Sequence, residues 1–272
     1  MKAWESNIRK VEPYVPGEQP KVQNVIKLNT NENPYGPSEN VRKAMEAIDI
    51  DRCRLYPDPD VTKLVGSIAD YYGMDNNQVF VGVGSDDVLS MCFLTFFNGK
   101  KPVLFPDITY SFYSVWADLY RIPYEKQKLD DNMKIVPEDY YKENGGVIFP
   151  NPNAPTGLLM DLDSVRDIIE HNNDVVVIVD EAYIDFGGVS AKDLVNEYDN
   201  VLVVQTFSKS RSMAGMRIGY AFGSKELIKA LNDVKFSFNS YTMNMTSIDM
   251  GVASINDCLL YTSPSPRDRQ KS

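Results

Sequence analysis

Lys209 stands between two serines in QTFSKSRSMAGMRIGY (residues 205–220), with Arg211 and Arg217 close behind and Gly215 and Gly219 interleaved. A solvated basic face has this composition. So has a site that holds a phosphate and uses the lysine amine covalently. The amine is a nucleophile only when neutral, and neighbouring cations favour that form. Arginine adds a forked, fixed-charge grip on phosphate. The chain has 38 acidic and 28 basic side chains, a net charge of −10, so a local cluster of cations stands out.

Other stretches place reactive side chains just after apolar runs. GVGSDD (82–87) follows VFV and precedes a helical pattern, so its amides and Ser85 suit an anion at a helix N-terminus, although an ordinary N-cap looks the same. Tyr110 follows KPVLFPD and offers a flat ring for stacking or for the core. NPNAPTG (151–157) is a proline-fixed loop in which an X-Pro bond is a candidate for cis. DVVVIVD ends at Asp180, followed by Glu181, Ala182 and Tyr183. A carboxylate at the tip of a buried strand needs a partner, either a structural donor or a protonated ring nitrogen on a ligand.

The elements that must position these residues are short. QVFVGV, KPVLFP, GGVIFP, DVVVIVD and NVLVVQTF read as strands, near-continuously apolar. Between them DDVLSMCFLTFF, SFYSVWADLY, DLDSVRDIIEHN and VSAKDLVNEY repeat apolar residues at helical spacing. The pattern predicts an α/β fold, a mostly parallel central sheet covered by helices on both faces, with ligands at the carboxyl ends of the strands. Residues 1–55 are rich in proline and asparagine and read as an extended arm plus the short helix VRKAMEAI. Residues 56–257 form the main domain. Residues 258–272 (CLLYTSPSPRDRQKS) lose all apolar period and read as a disordered or foreign tail.

Composition also excludes. An acidic chain attracts neither nucleic acid nor an anionic membrane. Three scattered cysteines, Cys53, Cys92 and Cys258, fit a reducing compartment without a disulfide framework. No apolar run approaches the roughly 20 residues that span a bilayer, and the amino terminus has no apolar signal core, so a cytoplasmic location is expected. His171 is the only histidine, which leaves no histidine-cluster metal site, and its place after DSVRDIIE suits a helix C-terminus.

LNTNENPYGPS, RLYPDPD, VGVGSDDVL, TYSFYSV, NPNAPTG, VDEAYIDF and QTFSKSRSMAGMRIGY, in that order, resemble the fold type I pyridoxal-phosphate aminotransferases. Within these they are most similar to the histidinol-phosphate aminotransferase branch. The resemblance implies pyridoxal 5′-phosphate as cofactor, with L-histidinol phosphate and 2-oxoglutarate or glutamate as substrates. It implies that Lys209 bonds the cofactor and moves a proton, that Asp180 pairs with the ring nitrogen and that Tyr183 bonds the 3′-oxygen. Tyr110 is implied to stack on the ring. Ser85, Asp86, Thr206, Ser208 and Arg217 are implied to hold the phosphate, joined by Tyr56 from the other subunit of a homodimer. Tyr14, Asn31 and Glu32 are implied to lie near substrate. Another enzyme of the same fold, an aromatic aminotransferase or a threonine-phosphate decarboxylase, shares these blocks; a non-catalytic fragment is the other alternative, and a nucleotide-binding protein lacks its glycine signature here.

Two departures stand out. Many members have asparagine directly before Pro-Thr-Gly, where this chain has Ala154, so either Tyr183 acts alone or Asn153 reaches in. The family also continues into a small domain with a carboxylate-binding arginine, and the only later arginines here, Arg267 and Arg269, lie in the Ser-Pro tail; the chain reads as C-terminally truncated, with the small domain largely missing. Arg211 has no role on this reading beyond tuning the lysine or facing solvent.

Overall fold

Branched and aromatic side chains pack well on a pleated surface, and the apolar runs build a sheet of seven strands among the described residues. The computed structural model describes residues 2–18 and 26–257. Its strands are β1 (Val79–Gly82), β2 (Val103–Pro106), β3 (Tyr124–Gln127), β4 (Gly146–Pro150), β5 (Val177–Asp180), β6 (Val201–Thr206) and β7 (Gly219–Gly223). They lie in the order β1-β7-β6-β5-β4-β2-β3. Neighbours run parallel except that β7 is antiparallel to both β1 and β6.

The helices are α1 (Glu39–Glu46), α2 (Thr62–Tyr72), α3 (Ser85–Phe96), α4 (Phe112–Tyr120), α5 (Leu162–Glu170), α6 (Lys225–Phe238) and α7 (Met245–Ile255). Alternate strand residues feed two cores. Val177, Val179, Val201 and Val203 pack with α2, α5 and α7 residues such as Leu64, Ile168 and Ile248. Ile178, Leu202 and Val204 pack on the other face with Phe93, Trp116 and Leu231 of α3, α4 and α6. This two-residue alternation makes a strand apolar throughout when helices cover both faces. The predicted α/β architecture stands.

Three elements differ from expectation or escaped it. VSAKDLVNEY forms only a 3-10 segment, Ala191–Asn196. Its start is anchored elsewhere: the Ser190 hydroxyl and the Ala191 amide both donate to the buried Glu181 carboxylate, at 2.5 and 2.6 Å. Strand β3 (YEKQ) is a polar edge, exposed at Glu125 and Lys126, so no apolar run marks it. Strand β7 lies hidden in the glycine-rich continuation of the lysine block. The predicted tail, 258–272, lies outside the described residues.

The sheet brings distant residues together. Because β1, β2, β4, β5 and β6 run the same way, Gly82, Pro106, Pro150, Asp180 and Thr206 end on one edge, and β7 starts there at Gly219.

Candidate active site

Lys209 follows β6 by three residues. Its Nζ donates to the carbonyls of Thr30 and Asn31, at 2.9 and 3.3 Å, and lies 5.4 Å from the centre of the Tyr183 ring. The arm residue Asn33 holds the lysine backbone in turn, donating from Nδ2 to the Lys209 carbonyl at 3.0 Å. Thr30, Asn31, Ser212 and Arg217 all have left-handed backbone, with φ of 62°, 50°, 58° and 52°. Such conformations cost energy for residues with a Cβ and collect where surrounding structure holds a functional geometry.

Asp180, last residue of β5, is buried. Its Oδ2 accepts from the Tyr113 hydroxyl of α4 at 2.8 Å, and its Oδ1 accepts from the Ala182 amide at 3.2 Å. Burial pushes its carboxyl up to about 6; the two hydrogen bonds oppose this and the nearby Asp86 carboxylate adds to it. Next along, Glu181 faces away from the site. It accepts from Ser190, Ala191 and Gln205, and burial still pushes it up to about 7. Gln205 carries the network on, its Oε1 accepting from Tyr72 at 3.0 Å and Tyr220 at 2.8 Å.

The anion-holding elements meet where β1 turns into α3. Gly84 precedes the helix at φ +87°, and a Cβ there would fall 2.4 Å from Nη2 of Arg217. A Cβ on Gly219 would fall 2.2 Å from the Ser85 amide nitrogen, so only glycine lets β7 start this close to the helix N-terminus. Arg217 Nη2 donates to Asp86 Oδ2 at 3.1 Å, and Asp86 Oδ1 accepts from the Tyr110 hydroxyl at 2.8 Å. Thr206 and Ser208 pair through their hydroxyls at 3.0 Å, and both are buried. Burial, and then Asp86, push the Tyr110 hydroxyl up, so it remains a donor.

One cavity of about 760 Å³ is lined by all but one of the residues that the resemblance assigns to the site: Lys209, Asp180, Tyr183, Ser85, Asp86, Tyr110, Thr206, Ser208, Arg217, Tyr14, Asn31 and Glu32. Asn31 Nδ2 donates to the Tyr183 hydroxyl at 2.9 Å, and the Tyr14 ring sits 4.2 Å from that of Phe112. Tyr56 is elsewhere, 81% exposed with its ring stacked on Tyr241 at 4.7 Å. Both X-Pro bonds of the NPNAPTG loop, Asn151–Pro152 and Ala154–Pro155, are cis. Ala154 lines the cavity; Asn153 is buried and donates to the Ile108 carbonyl and the Thr156 hydroxyl at 3.1 and 3.2 Å. Asn153 therefore does not replace the missing asparagine.

Arg211 corrects the sequence reading. It is 3% exposed, donates to the Ser254 carbonyl of α7 at 2.9 Å and lies 5.2 Å from the ring centres of Tyr71 and Phe207. A solvated role is excluded because α7 and Tyr71 close over it. His171 caps α5 as expected, stacked on Tyr141 at 3.7 Å with Nδ1 2.9 Å from the Asp167 carbonyl. Tyr113 and the carbonyls of Thr30 and Asn31 were not foreseen. Tyr113 lies three residues after Tyr110, in the first turn of α4, with the two ring centres 5.8 Å apart.

The donor set fits pyridoxal phosphate. A helix N-terminus, an arginine and two hydroxyls suit a phosphate. A buried carboxylate with no cation paired to it among the described residues suits a protonated ring nitrogen, and a lysine amine faces the same space.

Comparison with known proteins agrees. Residues 23–262 match the class I and II aminotransferase family. The histidinol-phosphate aminotransferase of Clostridium beijerinckii is 53% identical over 256 residues, 94% of this chain and 72% of the relative. That of Hydrogenovibrio crunogenus is 55% identical over 254 residues, 93% and 71% of the two chains. Among solved structures, the histidinol-phosphate aminotransferase of Sinorhizobium meliloti in complex with pyridoxal-5′-phosphate shares the fold. It has a TM-score of 0.77 at 21% identity, covering 84% of this chain and 63% of that one. That of Clostridium acetobutylicum gives 0.74 at 22% identity, covering 85% and 70%. The chain belongs to the class I and II aminotransferases, in the branch of the histidinol-phosphate aminotransferases.

Proposed function

We propose that this chain transfers an amino group between L-histidinol phosphate and 2-oxoglutarate in histidine biosynthesis, with pyridoxal 5′-phosphate as cofactor. The supporting observation is that Lys209 and Asp180, delivered by the ends of adjacent strands, face one cavity with Arg217 and the α3 N-terminus. Among the described residues no helix is long and apolar enough to cross a membrane; the cytoplasm is the proposed location.

When bound, the cofactor supplies the electron sink for a carbanion at the substrate Cα. The protein's own residues hold, orient and move protons. Asp180 would hold a positive charge on the ring nitrogen, and its cost as a buried anion falls when that charge is present. Ser85, Thr206, Ser208 and Arg217 would hold the phosphate, with the Asp86 carboxylate keeping Arg217 in position and its amide near the helix N-terminus. Tyr183 would bond the 3′-oxygen, without help from the Ala154 position. Tyr110 would cover the ring. Lys209 Nζ would bond the cofactor and afterwards, as a free amine, take and return a proton at the substrate Cα. Tyr14, Asn31 and Glu32 would meet the substrate. The test is turnover with L-histidinol phosphate, phenylalanine and threonine phosphate under the same conditions. A preference for L-histidinol phosphate is expected, and a higher kcat/KM for either competitor rejects the substrate.

A homodimer belongs to the same proposal. Tyr56 is highly exposed with its ring stacked on the exposed Tyr241, and Ile50, Leu55 and Phe238 are exposed apolar side chains close to these two in sequence; exposed apolar side chains of this kind favour burial against a partner. The reading has Tyr56 reach the cofactor phosphate of the second copy. Sedimentation equilibrium is expected to give a dimer, and Tyr56→Phe to weaken cofactor binding about tenfold, the loss of one charge-assisted hydrogen bond. A monomer with full cofactor affinity overturns both.

A further inference from the structure

We propose that Tyr113 is a positioning residue for the cofactor's ring nitrogen, acting through Asp180: its hydroxyl orients the carboxylate and keeps it ionised. The inference rests on the reading of Asp180 above and extends it to a residue outside the cavity wall.

The geometry is specific. Tyr113 is 0% exposed, and its hydroxyl donates to Asp180 Oδ2 at 2.8 Å. The ring is fixed among Phe93, Phe105, Tyr110 and Trp116, with centroids 6.3, 5.8, 5.8 and 6.4 Å away. A ring so enclosed cannot follow the carboxylate; the carboxylate must follow the ring. The Ala182 amide holds the other oxygen, at 3.2 Å. Each carboxylate oxygen accepts about two hydrogen bonds, so both donors can be kept while a cation is met from the cavity.

The chemistry runs one way. Burial, and then the Asp180 charge, push the Tyr113 hydroxyl well above its ordinary range, so it donates throughout the working pH range. A permanent donor favours the ionised carboxylate, and the ring nitrogen pairs with that form. The other groups facing Asp180 act differently. Asp86 on α3 repels its charge, and Tyr110, ahead of α4, directs its own hydroxyl to Asp86. Lys209 after β6 and Arg217 before β7 line the same cavity, with their bonds at 2.9 Å to the Thr30 carbonyl and 3.1 Å to Asp86. Tyr113 is the side chain that hydrogen-bonds this carboxylate among the described residues.

A hydrogen bond to a charged group shifts an ionisation by about tenfold to a hundredfold, one to two pH units. Tyr113→Phe removes the hydroxyl and leaves the ring. The experiment measures the dissociation constant of pyridoxal phosphate from cofactor-free protein, by the absorbance of the bound cofactor, between about pH 5 and about pH 9. Wild type, Tyr113→Phe, Asp180→Asn and the double variant are compared, so the ligand's own titration cancels. In Tyr113→Phe the rise of affinity with pH is expected at least about one unit higher than in wild type. In Asp180→Asn the part of that rise contributed by this carboxylate is expected to vanish. The double variant is expected to match Asp180→Asn, because Tyr113 acts through the carboxylate. Superimposable wild-type and Tyr113→Phe profiles overturn the proposal while leaving the role of Asp180 intact. Additive losses in the double variant show a packing role and overturn it too. A wild-type profile in Asp180→Asn overturns the reading on which it rests. Comparing the double variant with Asp180→Asn removes the contribution of Asp180, so an effect of lost packing appears there on its own.

Discussion

Lys209→Ala is expected to abolish covalent attachment of the cofactor and to lower turnover by at least about three orders of magnitude. General acid–base catalysis alone contributes about 10²–10⁴-fold, and the variant also loses the nucleophile. The effect is chemical rather than structural. The side chain reaches across an open cavity to carbonyls of the arm, at 2.9 and 3.3 Å, and is not part of either core. Cofactor-free Lys209→Ala therefore unfolds close to the wild-type temperature. Borohydride reduction of the wild-type protein loaded with pyridoxal phosphate is expected to place the label on the peptide carrying Lys209, and in the variant on none. Methylamine in solution is expected to restore part of the activity, since a free amine then supplies the missing proton acceptor. A label on another lysine, or wild-type turnover in the variant, removes Lys209 from the chemistry.

Legibility in the sequence followed chain-local physics. β4, β5 and β6 were readable because strands covered on both faces must be apolar along their length, as VIF, VIV and VLVV are. β3 was not, since an edge strand with water beside it tolerates YEKQ. The convergence of the candidate site residues on one cavity was largely legible for a related reason. Residues just past parallel strand ends converge, so Asp180, Lys209 and Ser85 needed only their strands to be found. Partners fixed by tertiary packing were harder. Arg211 is two residues from Lys209, yet its burial depends on α7 and Tyr71. Tyr113 falls inside the helical pattern SFYSVWADLY with nothing to single it out; only the three-dimensional arrangement puts its hydroxyl on Asp180.

Asp180→Asn is expected to separate function from stability. The carboxyl is raised from 3.8 to about 6 by burial, so in the cofactor-free protein the folded state binds its proton more tightly than the unfolded state. Between about pH 4 and pH 6 the native chain carries the extra proton, and stability falls as pH rises through that window. Above it the buried anion costs on the order of 3 kcal/mol relative to the protonated form. Glu181, pushed up to about 7, acts in the same direction and is unchanged by the substitution. Asparagine has the same shape and no charge, and can accept from the Ala182 amide while donating to the Tyr113 oxygen. The cofactor-free variant at pH 8 is therefore expected to be more stable than wild type by about 1–3 kcal/mol, allowing for the imperfect replacement of one hydrogen bond. At pH 4 the gain should disappear, because the wild-type carboxyl is then largely protonated. Turnover moves the opposite way. Removing one partner of a buried charge pair costs about 3–5 kcal/mol, or two to four orders of magnitude in rate. Paired denaturation curves at the two pH values, with kcat measured on the same preparations, check both limbs. Equal stability at pH 8 shows that the buried charge is already neutralised by the protein itself, and unchanged turnover shows that the ring nitrogen pairs elsewhere. A buried carboxylate that weakens the empty fold and serves the occupied one is ground for reading the strand end as a cofactor site rather than as part of the core.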